Sequence, residues 1–229
     1  PPGGAGARGG GGWTREVATL GTMALCCLVA QGAVQDWGAV FLREQRGAAP
    51  GAATLGYVVF SVFLVLVRLV GDRLAARFGA VLLLRAFVGL AVAGMLLVVL
   101  VPAAAAGVLG FALVGAGLSV LDPLVSSAAG RLGGGDPGTT ARGVAHVATL
   151  GHLGLLLGPP AIGWLSELLG LGPAMAAAVL LMVPGVALAA GPVRVWNTVP
   201  ARAPVQPVPA AAPSGGDSAR STRPAAAPV

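Results

Sequence analysis

The chain has 229 residues, 56% of them hydrophobic and 10% charged, and all of its +6 net charge derives from arginine excess without lysine. A soluble globular domain carries about 25% charged residues. With a mean hydropathy of +0.87, the composition therefore excludes an ordinary soluble domain and points to a bilayer. The arginines scatter over connections instead of gathering on one face, which excludes a nucleic-acid-binding surface.

Residues 1–15 are Gly-rich and read as a flexible linker. Gly4, Gly6 and Gly9 match a dinucleotide-site spacing, G-x-G-x-x-G, but no strand precedes them and no helix follows promptly, so the match is compositional. Six apolar stretches follow, roughly Val17–Leu42, Ala52–Val70, Ala80–Val101, Ala103–Ser127, Gly143–Leu165 and Leu171–Gly191. Each is near the ~20 residues that cross a hydrocarbon core as a helix. They are continuous, whereas barrel strands alternate over about ten residues. The expectation is an all-α polytopic membrane protein, with a six-helix bundle over residues 16–194. Residues 195–229 are Pro- and Ala-rich and read as a disordered cytoplasmic tail.

The arginines set the orientation. Arg8 and Arg15 precede the first stretch. Arg68, Arg73, Arg77 and Arg85 flank the second connection, Arg131 and Arg142 the fourth, and the last four arginines follow the sixth stretch. Only Arg43 and Arg46 fall on the other side. By the positive-inside rule both ends of the segment face the cytoplasm. An Ala-, Gly-, Arg- and Pro-rich composition without lysine suggests a GC-rich genome, hence a bacterial cytoplasmic membrane. The chain does not begin with Met or a signal-peptide pattern, so it reads as part of a longer protein. Cys26 and Cys27 are adjacent in an apolar run, with no metal-ligand spacing. They read as small packing residues, and no cofactor or metal is expected.

Between the second and third stretches the sequence reads Arg68-Leu-Val-Gly71-Asp72-Arg73-Leu-Ala-Ala-Arg77-Phe-Gly79. A fainter echo, Gly163-Trp-Leu-Ser-Glu-Leu-Leu-Gly170, occupies the same place in the second set of three stretches, and such triplet repeats recur in transporter halves. The first segment resembles the signature loop of the major facilitator superfamily, in the copy between the eighth and ninth helices. The resemblance covers residues 16–194 and implies helices seven to twelve of a twelve-helix fold. Gln31-Gly-Ala-Val-Gln-Asp36-Trp37 resembles a bacterial branch that usually reads E-G-A-x-x-D-W, with Gln31 replacing its acidic residue. Gly151-x-x-Gly154-x-x-x-Gly158-Pro159-Pro160-x-x-Gly163 fits that branch too and partly resembles a Gly-Pro motif of antiporters.

The resemblance implies secondary transport of a small solute by alternating access against an N-terminal six-helix half, with protons as a further partner. Asp72, flanked by Arg68, Arg73 and Arg77, is expected to hold a helix end through charge-assisted bonds, so that Arg68, Gly71, Asp72, Arg73, Arg77 and Gly79 form a conformational latch. An ionisable residue at membrane depth is a functional candidate by default. The cavity candidates are Gln31, Gln35 and Asp36 on the first span, with Asp122 and His152. His146 and His152 point about 120° apart on a helix and form no cluster. Gly154, Gly158, Pro159, Pro160 and Gly163, with Gly110, Gly115 and Gly117, are expected to allow close helix packing. No catalytic arrangement and no phosphate-cradling loop appear, so an enzyme is not expected. The rival reading is a membrane scaffold or regulator derived from a transporter half.

Overall fold

A computed structural model describes residues 15–132, 136–184 and 187. The expected linker before residue 15 and the tail after residue 194 lie outside the described residues. Within them the chain is all-helical: α1 Arg15–Arg46, α2 Pro50–Phe78, α3 Ala80–Leu100, α4 Ala104–Leu118, α5 Leu121–Leu132, α6 Pro137–Leu169 and α7 Leu171–Leu180. α1, α2, α3, α6 and the combined α4–α5 segment are each long and apolar enough to cross a membrane. The last part of the expected sixth span, Leu171–Gly191, falls partly outside the described residues.

Helix ends follow local chemistry. Pro50 opens α2 and Pro137 opens α6, where the missing N–H costs nothing and φ is already set. Asp136 caps α6 by accepting from the Thr139 backbone N–H at 2.7 Å and its hydroxyl at 2.6 Å. These two bonds, the hydroxyl's first, hold the exposed Asp136 carboxyl below the usual carboxylate range.

The faint echo has a backbone counterpart. Gly79 turns α2 into α3 at φ 84°, and Gly170 turns α6 into α7 at φ 87°, a region that suits glycine. The Gly79 N–H donates to Ala75 O at 3.0 Å and the Gly170 N–H to Ser166 O at 2.9 Å. At each corner the glycine carbonyl then accepts the first bond of the next helix, from Leu83 and Ala174.

Three expectations change. Gly71–Phe78 is not a loop: α2 runs through it to Phe78. Leu, Ala and Arg sustain helix well, so the helix outlasts the apolar stretch by two turns, and only Gly79 turns the chain. The fourth stretch is not one helix, because the Ser119–Val120 turn divides α4 from α5. α6 begins at Pro137, ahead of the expected Gly143, because Asp136 and Pro137 start a helix before the apolar residues do.

α1 and α4 lie innermost, around Phe41, Phe60 and Phe111, which are fully buried. α6 runs along α1 with glycines at the seam: Gly154 meets the Leu25 backbone, and a Cβ on Gly158 would stand 3.2 Å from Val29 Cα. Gly115 meets the Phe60 backbone, and a Cβ on Gly110 or Gly117 would press on α3. At the far end of α1, Arg46 Nη2 donates to Val98 O at 3.0 Å and Val99 O at 2.7 Å. It thereby caps α3 with a cation where carbonyls lack donors, and its guanidinium lies 4.9 Å from the Phe41 ring centroid. α2 is the least buried span and exposes Leu55, Val58, Val62, Leu66 and Leu69, an apolar face that suits lipid or a partner helix.

Candidate functional site

Two proline positions organise the polar chemistry of the bundle. The first is the α4–α5 break. Pro123 has no N–H, so the Ser119 carbonyl four residues earlier has no helical donor. Ser119 is fully buried, and its hydroxyl is already committed to Ala116 O at 2.6 Å. Arg68 on α2 supplies the missing donor, with Nε 3.0 Å from Ser119 O. Gly71, one turn on, permits this approach: a Cβ there would stand 2.7 Å from Val120 Cγ1. Arg68, Gly71, Asp72, Val120, Pro123 and Leu124 enclose a small cavity of about 80 Å³.

The expected latch therefore splits. Arg68 and Gly71 dock on the α4–α5 break. Asp72, Arg73 and Arg77 are exposed on the last turns of α2. Among the described residues no ion pair joins Asp72 to Arg68, Arg73 or Arg77. Arg68 points to a carbonyl instead, and Arg77 lies over the Phe78 ring at 5.6 Å. Among the described residues, the arginines nearest Asp72 along the helix have other neighbours or face outward.

The second position is Pro159-Pro160 within α6. Both prolines remove donors, here for the carbonyls of Leu155 and Leu156. Trp37 on α1 donates its indole N–H to Pro159 O at 3.1 Å. Gly163 makes room for it, since a Cβ there would meet Trp37 Cζ2 at 3.0 Å. Asp36, Trp37, Val40, Pro159 and Pro160 line an open groove of about 490 Å³. Among the expected cavity residues only Asp36 faces this groove, and it is exposed there. Gln31 and Gln35 are half-buried on α1 and do not line it.

His152 stands apart. It is exposed on α6 beside a groove formed with Ala145, Ala148, Thr149, Leu153 and Leu156, and its Nδ1 lies 2.7 Å from Ala148 O. Asp122 sits half-buried in the first turn of α5, where a carboxylate suits the helix dipole. It does not line the His152 groove. No group of three or more His, Cys, Asp or Glu able to hold a metal occurs among the described residues. The sequence reading missed the Arg68–Ser119 and Trp37–Pro159 bonds. The prolines stand in the sequence, but nothing in it names the donors that answer them.

No protein-family model matches the chain. The chain is 34% identical over 172 residues to an uncharacterized MFS-type transporter of Yersinia pestis, covering 75% of this chain and 43% of that protein. It is 31% identical over 156 residues to the membrane protein MosC of Rhizobium meliloti, covering 68% and 38%. An uncharacterized transporter of Sinorhizobium fredii is 36% identical over 148 residues, covering 65% and 38%. The chain thus spans about two fifths of the length of the curated relatives it matches. Among solved structures, a peptide transporter POT in complex with alafosfalin superposes with a TM-score of 0.70 at 19% identity, over 80% of this chain and 39% of that one. The POT family transporter PepTSo superposes at 0.68 and 17% identity, over 86% and 40%. At such identities the likeness concerns the fold.

Proposed function

The chain belongs to the major facilitator superfamily, and from that premise we propose that it works as the C-terminal half of a secondary transporter, moving a small solute by alternating access with proton coupling. The observation that carries the reading is the likeness to named transporters across three quarters of the chain. The apolar, thinly covered faces of α2 and α6 support it, since two helical halves that rock need smooth surfaces to move on. The second half of the transporter is the proposed partner, and the bacterial cytoplasmic membrane, with both ends of the segment inside, is the proposed setting.

In this reading Arg68 and Gly71 fasten the end of α2 to its own bundle. Asp72, Arg73 and Arg77 remain available to the other half, so that their pairing forms in one state and breaks in the other. Asp36, Asp122 and His152 are the proposed ionisable groups of the transport path, with Gln31 and Gln35 as polar neighbours. The seam of Gly154, Gly158 and Gly163 keeps α1 and α6 together while the bundle moves as a unit.

The test is solute counterflow and gradient-driven uptake with the full-length protein in proteoliposomes, over a panel of metabolites and drugs. Accumulation of a solute that a protonophore abolishes is the expected result. Folded protein that moves none of the panel argues against transport. Asp72→Asn that leaves the rate unchanged argues against the latch alone.

A further inference from the structure

The cavity at the α4–α5 break is lined by two opposite charges that do not touch. Arg68 and Asp72 both border it, and they stand one turn apart on α2, on the same side of the helix. No hydrogen bond or ion pair joins them among the described residues. Arg68 commits only its Nε, to Ser119 O at 3.0 Å. A guanidinium carries five N–H donors, and those on the two terminal nitrogens of Arg68 have no partner among the described residues. The Asp72 carboxylate has none there either.

Arg68 thus has two acceptors to choose between. The Ser119 carbonyl belongs to a fully buried residue, and Pro123 denies it a helical donor, so it depends on a donor from outside its own helix. Pairing with Asp72 would join two exposed side chains, an arrangement that adds little stability. It would also place the cation ahead of the anion, the weaker order along a helix. The structure accordingly shows the carbonyl bond. The cavity makes the alternative accessible: its volume of about 80 Å³ holds about two waters, which can donate to Ser119 O when the guanidinium turns away. Gly71 keeps α2 close against Val120, so the exchange needs rotation of one side chain and no movement of α2.

We propose that Arg68 is a two-position switch on the α4–α5 break. On Ser119 O it pins the break to α2. On Asp72 it leaves the break held by water and free to flex. Asp72 sets the position: bound to another cation it leaves Arg68 on the carbonyl, and released it draws Arg68 away. Where that cation belongs to the other six-helix half, the switch rests on the transport reading above and couples the contact between halves to the flexibility of α5. The exchange between the two acceptors does not rest on it.

The experiment is hydrogen exchange, read by mass spectrometry, of the segment from Leu118 to Val125 in the full-length protein. The protein is held in nanodiscs of phosphatidylcholine and phosphatidylglycerol, without added solute. Asp72→Asn removes the charge that draws Arg68 off, so exchange in this segment should slow by about threefold or more. Arg68→Ala should speed it by a similar factor, and Asp72→Asn added to Arg68→Ala should then change nothing. The sign is diagnostic, because loss of a merely structural Asp72 would loosen the segment. Unchanged or faster exchange in Asp72→Asn overturns the proposal, and so does equal slowing in the Arg68→Ala background. The exposed, isosteric Asp72→Asn decides the sign by itself if Arg68→Ala does not fold. Slowed exchange in a protein that fails counterflow keeps the switch and removes the transport reading. Transport with unchanged exchange in Asp72→Asn does the reverse.

Discussion

Prolines interrupt hydrogen bonding at two places in this bundle, and neighbouring helices respond differently. At the α4–α5 break Pro123 strips the donor from Ser119 O, and Arg68 replaces that same donor from α2. The orphaned carbonyl belongs to fully buried Ser119 and is satisfied. At Pro159-Pro160 in α6 the side chain that arrives, Trp37, binds Pro159 O. The two carbonyls that the prolines strip receive no side-chain donor among the described residues, and the prolines themselves line an open groove of about 490 Å³. At one site a neighbouring side chain replaces the missing donor, and at the other it binds a different carbonyl. A buried polar group without a partner costs free energy, so the Arg68 bond marks a structural joint.

The comparison is easiest to break at the closed site. Arg68→Ala leaves Ser119 O buried and unpaired, and should cost about 1–3 kcal/mol, read as a lower thermal midpoint in detergent. If the midpoint does not move, the joint is not held by this bond. Trp37→Phe keeps the ring against Gly163 and removes only the N–H, so a loss of about 0.5–1.5 kcal/mol is expected by the same assay. A loss larger than that of Arg68→Ala would reverse the contrast between the two sites.

A double-mutant cycle sharpens the argument further. Pro123→Ala restores an N–H that can serve Ser119 O, so Arg68→Ala should cost less in that background, by at least about 0.5 kcal/mol. Strict additivity would mean that Arg68 does not stand in for the proline's missing donor. The smallest effect concerns Asp136, which caps α6 ahead of its prolines. Its carboxyl is held low by Thr139, so its contribution is present above the ordinary aspartate pKa and is lost as pH falls through the lowered value. Amide exchange in the first turn of α6 should therefore accelerate, relative to Asp136→Ala, only on acidification. Identical pH profiles for the two proteins would remove the capping role.

Much of this protein was legible in its sequence because the governing forces are local. Runs of apolar residues must form helices in a bilayer, since backbone groups there need internal partners. The small residues of α6 announced a close seam, and Gly79 and Gly170 were already paired as an echo, because only a residue without Cβ enters those two turns easily. The error at Gly71–Phe78 arose from equating the end of the apolar stretch with the end of the helix. Helix hydrogen bonds continue wherever good helix formers do.

What the sequence determined, then, was the apolar spans, the glycine corners and the places of the prolines, all properties of neighbours along the chain. What only the tertiary structure decided was which side chain answers each orphan. Arg68 reaches a carbonyl 51 residues away and Trp37 one 122 residues away. Those meetings depend on which helices pack together and at what rotation, a balance summed over the many weak contacts of each seam. Asp36 lines the α1–α6 groove and its near neighbours Gln31 and Gln35 do not: helical phase turns them apart, and the packing of α6 decides which side meets the groove.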